Sequence, residues 1–246
     1  MNKAILNRNL RKLHLWFGVA IGLQLGLWLI SGLFMTIFPI DHVRGTHLRA
    51  ETTPTYLASD LDILEPIEII SRHGLRPKAI TLQYINKEPV YLAVSDKTSY
   101  LFNAMTGEKR PYLRENLATK IAIENYAGRS TRRSATFFSD DAPREYGREG
   151  PVWRIDFEKP DAASFYVDAT TAEVKAVRTG LWRTFDFMWG LHIMDWSNRE
   201  NFNSWWIKTV AALSLFFFFT GLGLVFLRVR SGFIRRHRPS CTRRAA

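Results

Sequence analysis

Two apolar segments frame the chain and divide it into membrane-spanning and water-facing parts. No Asp, Glu, Lys or Arg occurs in residues 13–40 or 209–227. At about 1.5 Å per residue, segments of this length cross a hydrocarbon core of roughly 30 Å. The first segment is too long for the apolar core of a signal peptide and has no small-residue cleavage pattern before Asp41. We therefore expect two uncleaved transmembrane helices.

Between these segments, a helical spacing of apolar residues gives way twice to short strand-like runs. Residues 61–73 and 113–123 carry apolar side chains at the spacing of an amphipathic helix. Alternating or clustered apolar residues then predict strands. These runs are residues 79–84, 90–94 and 99–103 after the first helix, and 135–138, 152–157, 164–167 and 174–177 after the second. The pattern predicts an α+β region of two helix-plus-antiparallel-sheet units.

A short motif closes each of these groups. It consists of an aromatic strand end, Asn or Asp, Ala, any residue, Thr, a small residue and Glu. Its copies are residues 100–108 and 165–173. Asn103 and Asp168 occupy the same place, where the side chain can bond the backbone two residues on, and Gly107 supplies a positive φ. Because Ala172 replaces that glycine in the second copy, we expect its turn to be less strained or of a different type.

The net charge of +11 comes from the two ends of the chain. Four basic residues lie in residues 1–12 and seven in residues 228–246, with no acid in either stretch. Basic residues beside membrane segments mark the cytoplasmic side, so we expect both termini in the cytoplasm and residues 41–204 outside. The electrically neutral middle excludes nucleic acid as a partner. Cys241, the one cysteine, lies in the basic tail, so the exported part has no disulfide.

Helix, antiparallel strands and a closing aromatic-Asp-Ala-x-Thr-Gly-Glu turn resemble the PepSY domain. With its flanking membrane helices, the chain resembles a PepSY-associated transmembrane protein over nearly its full length. Further resemblance lies in Trp-Gly-Leu-His-Ile-Met-Asp-Trp at residues 189–196 and in Leu-His-Leu-Trp-Phe-Gly at residues 13–18. The resemblance implies a protein of the bacterial inner (plasma) membrane.

The predicted organisation has seven segments, of which the two transmembrane helices anchor the chain in the lipid bilayer. They are a basic N-terminus at 1–12, transmembrane helix 1 at 13–40, PepSY-like units at 41–110 and 111–180, an interfacial aromatic segment at 181–204, transmembrane helix 2 at 205–227, and a basic tail at 228–246. Trp205, Trp206 and Lys208 suit the membrane interface at the start of the second helix.

The resemblance implies three functions, and the residues leave the choice open. The first is a non-catalytic accessory protein that contacts a membrane or envelope protein. The second is a haem-b electron-transfer protein or redox-complex subunit linked to iron or siderophore reduction, since larger PepSY membrane proteins include haem-carrying reductases. The third is modulation of an envelope peptidase. No P-loop, dinucleotide fingerprint or hydrolase motif occurs, so we expect no enzyme activity from the chain by itself.

A small-residue stripe on the first membrane helix is one candidate site. Its members are spaced four residues apart and are His14, Gly18, Gly22 and Gly26. Such glycines allow close approach of another backbone or of a flat macrocycle. The stripe is either a tight helix contact, with the second helix or in a homodimer, or a haem surface with His14 as axial ligand.

A second candidate haem site precedes the second membrane helix. An aromatic helix face there carries Trp182, Phe185, Trp189, His192 and Trp196. We expect Asp195 to hold the second ring nitrogen of His192, and His42 or His47 to complete the iron site. The alternative is an interfacial amphipathic helix in which His192 makes an ordinary hydrogen bond. His14 lies roughly 40 Å from these residues and could serve only a second haem.

Overall fold

The computed structural model describes residues 3–51, 62–86, 88–96, 98–147 and 150–236. Parts of three predictions therefore lie outside the described residues. These parts are the start of the first amphipathic helix, up to residue 61, and the last ten residues of the basic tail with Cys241, together with residues 1–2 of the N-terminus.

Six α-helices and seven strands make up the described chain. The helices are α1 (Lys3–Ile37), α2 (Ile40–Val43), α3 (Pro66–His73), α4 (Glu115–Glu124), α5 (Gly180–Ile193) and α6 (Trp205–Arg236). The strands are β1 (Ala79–Ile85), β2 (Glu88–Val94), β3 (Ser99–Asn103), β4 (Arg132–Phe138), β5 (Val152–Phe157), β6 (Ser164–Asp168) and β7 (Val174–Arg178). The chain forms two compact units, one of Met1–Ile37 with Asp186–Ala246 and one of Phe38–Phe185.

The first unit contains the two long apolar helices. His14–Ile37 of α1 and Trp205–Phe226 of α6 are long and apolar enough to cross a membrane, with mean hydropathies of 1.8 and 2.1. The first span ends three residues before the predicted residue 40, because Pro39 disfavours helical backbone at the residue before it. The prediction of two apolar helices around an α+β region is confirmed.

The second unit contains two antiparallel sheets, in the orders β1-β2-β3 and β4-β5-β6-β7. Alternation along β2 divides its side chains between two cores. Val90 and Leu92 join a large core shared with α4 and the second sheet, whereas Tyr91 and Ala93 pack with Ile69 of α3. The two helix-plus-sheet groups are therefore tied together by one common apolar core.

The polar segment between β4 and β5 packs against the outer face of the second sheet. Ala142, only 1% exposed, and Tyr146 contact Val152 and Tyr166 there. The rings of Tyr146 and Tyr166 stack with their centroids 5.0 Å apart. These residues thus cover the outer face of the second sheet.

The two motif turns have the same geometry. Asn103 Oδ1 accepts the N–H groups of Met105 and Thr106 at 2.8 and 3.1 Å. Asp168 Oδ1 likewise accepts the N–H groups of Thr170 and Thr171, at 2.8 Å each. Gly107 has φ +73° and Ala172 has φ +64°. The expectation of a different second turn is wrong, because these bonds hold Ala172 in the left-handed conformation despite its Cβ.

We expect Ala172→Gly to stabilise the protein, because an L-residue in the left-handed region costs about 1–2 kcal/mol and the added chain entropy offsets only part of this. Gly107→Ala should destabilise it, since a Cβ there would lie 2.8 Å from Arg72 Nη1 and 2.9 Å from Leu64 Cδ1. Thermal unfolding in detergent should shift by about 2–4 °C in opposite directions. A lower melting temperature for Ala172→Gly would contradict the strain argument.

Candidate functional site

His192, in the last turn of α5, lies against α1 within the first unit. Its Nδ1 is 3.0 Å from Ser31 Oγ. Ser31 is 1% exposed. A Cβ built on Gly32 would lie 3.5 Å from the Cε1 atom of the ring, so the imidazole packs directly on the α1 backbone. Two small residues in succession thus make room for the histidine.

The hydrogen bonds of Ser31 assign the proton of neutral His192. Ser31 Oγ lies 2.7 Å from the carbonyl oxygen of Leu27 and 3.1 Å from that of Trp28. A hydroxyl has a single proton, and the shorter bond to a carbonyl acceptor uses it. Nδ1 of His192 is then the donor to Ser31, and Nε2 keeps its lone pair. This is the tautomer in which an imidazole binds a metal through Nε2.

Asp195 does not orient His192, and the expectation that it does is wrong. Its carboxylate accepts backbone N–H groups at 3.1–3.3 Å from Asn201, Glu200, Asn198 and Ser197. These bonds, led by that from Asn201, lower the pKa of Asp195 to about 2. Helix α5 ends at Ile193, and Met194 takes a left-handed conformation with φ +55°. Asp195 therefore lies in the loop after the helix, where its carboxylate holds the loop closed. Ser31 has the role predicted for Asp195.

The predicted aromatic face is also interrupted. Trp196 lies beyond the end of α5 and is 61% exposed. Trp189 Nε1 donates a 3.0 Å hydrogen bond to the carbonyl oxygen of Arg199. The Arg199 side chain pairs with Asp186 and crosses Gly190, where a Cβ would lie 2.9 Å from its Cγ and Cδ. A folded-back loop, rather than an open surface, therefore occupies this side of α5.

His14 and Gly18 contact α6. The His14 ring stacks on Phe217 with centroids 4.5 Å apart, and its Nδ1 is 3.4 Å from Thr220 Oγ1. A Cβ on Gly18 would lie 3.1 Å from the Phe217 ring, whereas one on Gly22 or Gly26 would meet nothing within 4 Å. Each four-residue step turns the helix by about 400°, so the stripe drifts away from α6.

The two remaining candidate ligands belong to the second unit. The rings of His42 and His47 stack with their centroids 3.9 Å apart and their planes at 9°. Burial and then the charge of His42 lower the pKa of His47, while Asp161 raises it to a smaller extent. The neutral form of His47 is therefore favoured. A shared iron with His192 stays a prediction.

Sequence reasoning missed a partly buried ionic network in the second unit. Arg183 donates from Nε and Nη2 to Glu145 at 2.8 and 2.9 Å, and Tyr166 donates to the same carboxylate at 2.6 Å. Burial raises the pKa of Glu145, but the bonds from Arg183 and Tyr166 outweigh it and lower the pKa overall. Ser164 accepts from Arg183 and donates to Asp156 at 2.5 Å, which extends the network.

One part of this network could have been found from the sequence. Arg154 and Asp156 are two residues apart on a predicted strand, so their side chains share one face and can form an ion pair. Glu145 lies in a polar loop, and its partner Arg183 is 38 residues away. No local pattern announces that pairing.

The fold is that of a membrane protein in which two apolar helices flank an α+β region with two copies of one turn motif. The model of the PepSY-associated TM region family matches residues 11–246, and the chain belongs to this family. Neither a search of curated proteins nor one of solved structures found a match. Among the residues that the structure describes, no group of three or more His, Cys, Asp or Glu could hold a metal ion.

We expect Gly18→Leu to weaken the packing of α1 on α6, because the new side chain would overlap the Phe217 ring. Overpacking of this kind costs about 1–3 kcal/mol. Gly22→Leu is the matched control, since its position is open within the chain. The melting temperature in detergent should fall for Gly18→Leu alone, while loss of a cross-linked dimer in Gly22→Leu would place that glycine between two copies. Equal melting temperatures for Gly18→Leu and wild type would contradict the contact.

Proposed function

We propose that this protein is a non-catalytic PepSY-type accessory of the bacterial inner membrane, acting through contact with a membrane or envelope protein. Both basic ends lie in the cytoplasm, and residues 41–204 lie outside as two PepSY-like units. The charge distribution supports this orientation, because it confines the whole positive excess to the two ends. Modulation of an envelope peptidase is the same hypothesis with one particular partner.

An exposed aromatic row supports the accessory function. We use this name for Tyr112, Phe137 and Trp153, whose neighbouring ring centroids are 6.3 and 5.1 Å apart. Tyr112 is 57% and Phe137 38% exposed. Trp153 Nε1 donates a 2.8 Å hydrogen bond to the carbonyl oxygen of Leu113, which fixes the base of the row. Rigid exposed aromatic side chains of this kind are enriched at protein interfaces.

One member of the row lies on an edge strand of the second sheet. Phe137 belongs to β4, which is the first strand of its sheet and, among the described strands, pairs with β5 alone. An extended segment of a partner can add to such an edge through main-chain hydrogen bonds, while the side-chain surface provides specificity. The combination of an open edge and an aromatic row is the observation that carries this proposal.

A photo-crosslinker at position 112, in the full-length membrane protein in cells, tests this surface. We expect one discrete adduct, which Phe137→Ser abolishes because it removes the exposed ring from the row. Ile123→Ser is the matched control, since Ile123 is 51% exposed but belongs to the last turn of α4 and is not part of the aromatic row. An adduct of twice the chain's mass identifies a second copy as the partner. An adduct that survives Phe137→Ser, or none at all, rejects the surface.

A haem-b electron-transfer role is the second candidate, and the His192 geometry favours it. Haem iron would bind Nε2 of His192, with Ser31 holding the opposite nitrogen and His42 or His47 as the predicted second ligand. Haem supplies a reversible one-electron change at its iron. His14 could serve only a separate haem, because 17 residues of α1 separate it from Ser31, a rise of about 25 Å. With two membrane helices, the chain would act as a redox-complex subunit linked to iron or siderophore reduction.

The haem candidate predicts an α band in the reduced-minus-oxidised spectrum of detergent-purified protein. His192→Ala should remove that band, because it removes the iron ligand, whereas Ser31→Ala should retain haem with an altered spectrum or potential. His14→Ala should remove a different part or none. Wild-type protein that remains free of haem after expression with ample haem supply would exclude this candidate and leave the accessory function standing.

A further inference from the structure

An open cleft of about 650 Å³ in the second unit is lined by four arginines. They are Arg133 of β4, Arg144 of the following loop, Arg154 of β5 and Arg183 of α5. Two carboxylates, of Glu145 and Asp156, also line it. Among the described lining residues, positive groups therefore outnumber negative ones by two.

Two of the arginines are held in place from beneath. The carboxylate side chains of Glu145 and Asp156 are each only 14% exposed, whereas those of their partners Arg183 and Arg154 are 40% and 33% exposed. Arg154 uses Nε and Nη2 to bind Asp156, and its Nη1 makes no hydrogen bond with the part of the chain that the structure describes. The two carboxylates therefore lie beneath the two guanidinium groups, which form the solvent-accessible wall of the cleft.

A β-bulge adds a third guanidinium to this wall. The register of β4 against β5 shifts between Arg132 and Ser134, which leaves Arg133 as the extra residue. Bulges redirect a side chain and are common beside functional sites. Arg132 instead donates to Glu115 of α4 at 2.9 Å. Arg133 has no hydrogen bond or ion pair with any described residue, so the bulge presents a complete guanidinium to the cleft.

The wall of the cleft keeps its positive charge. The hydrogen bonds to Glu145 raise the pKa of Arg183, which Arg154 opposes only to a small extent, and the hydrogen bonds to Asp156 raise the pKa of Arg154. Guanidinium donors in fixed positions match the two oxygens of a carboxylate or phosphate group. The volume of the cleft admits a small molecule with several such groups.

We propose that this cleft binds a small soluble oxyanion bearing carboxylate or phosphate groups, held by Arg133 and the outward faces of Arg154 and Arg183. This inference is independent of the accessory and haem functions, because it uses none of the aromatic row and none of the histidines. A lipid headgroup offers the same phosphate chemistry and is distinguished by experiment.

Calorimetric titration of the full-length protein in detergent with citrate, and separately with inorganic phosphate, tests the cleft. We expect saturable binding of at least one anion, weakened fivefold or more by Arg133→Gln and reduced by added salt. Arg132→Gln is the matched control, because it removes one positive charge from the neighbouring position on the other side of β4. Arg133→Gln should unfold at the wild-type temperature, because the Arg133 side chain has no bonded partner among the described residues, whereas Arg132→Gln loses a surface ion pair with Glu115 and should cost at most about 1 kcal/mol.

Three results would overturn the proposal. The first is no binding of either anion at millimolar concentration. The second is equal weakening by Arg132→Gln and Arg133→Gln, which would indicate general surface charge. The third comes from titration in nanodiscs: if phosphatidylglycerol, but not phosphatidylcholine, prevents anion binding by the wild-type protein, the cleft takes a lipid phosphate rather than a soluble ligand.

Discussion

The hydrogen bond that closes each motif turn onto its own helix organises the second unit. The carbonyl oxygen of Ala104 accepts the N–H of Leu64, two residues before α3, and that of Ala169 accepts the N–H of Leu113, two residues before α4. Each bond therefore joins the end of one strand, β3 or β6, to the start of the helix that precedes that sheet in the chain. Both alanines are fully buried, which explains why a small apolar residue stands at this place in both copies.

This closure alone would not make two stable units. A three-stranded sheet with an eight-residue helix buries little apolar area, and small β structures need additional packing. The shared core with α4 provides it, because Val90 and Leu92 from the first sheet meet Ile155 and Phe165 from the second. The repeated sequence thus folds into two similar helix-plus-sheet groups, and the apolar core that they share makes them one compact unit.

Local patterns in the sequence predicted the elements well, and long-range contacts decided the rest. Strand alternation and apolar length identified both sheets and both membrane spans, since these signals are local. The turn at Ala172 could not be inferred, because its side-chain and backbone bonds overrule the residue's own preference. Ser31 likewise carries no local mark as the partner of His192, 161 residues away. The four-residue stripe predicted the contact of His14 and Gly18 with α6 but not the open positions of Gly22 and Gly26, because each four-residue step rotates the stripe further around α1.

The two proposals for the second unit meet on one strand. β4 carries Phe137 of the aromatic row, and its bulge at Arg133 opens toward the arginine cleft. A segment added to the free edge of β4 would lie beside both features, so a partner would meet a surface whose charge depends on whether the cleft is filled. An anion in the cleft would neutralise the local excess of positive charge and favour a neutral or basic partner segment, whereas an empty cleft would favour an acidic one. Any differential affinity of this kind must act in both directions, since binding free energies are reciprocally linked. Partner and oxyanion would then report on each other through β4 and β5, since both strands contribute residues to the row and to the cleft.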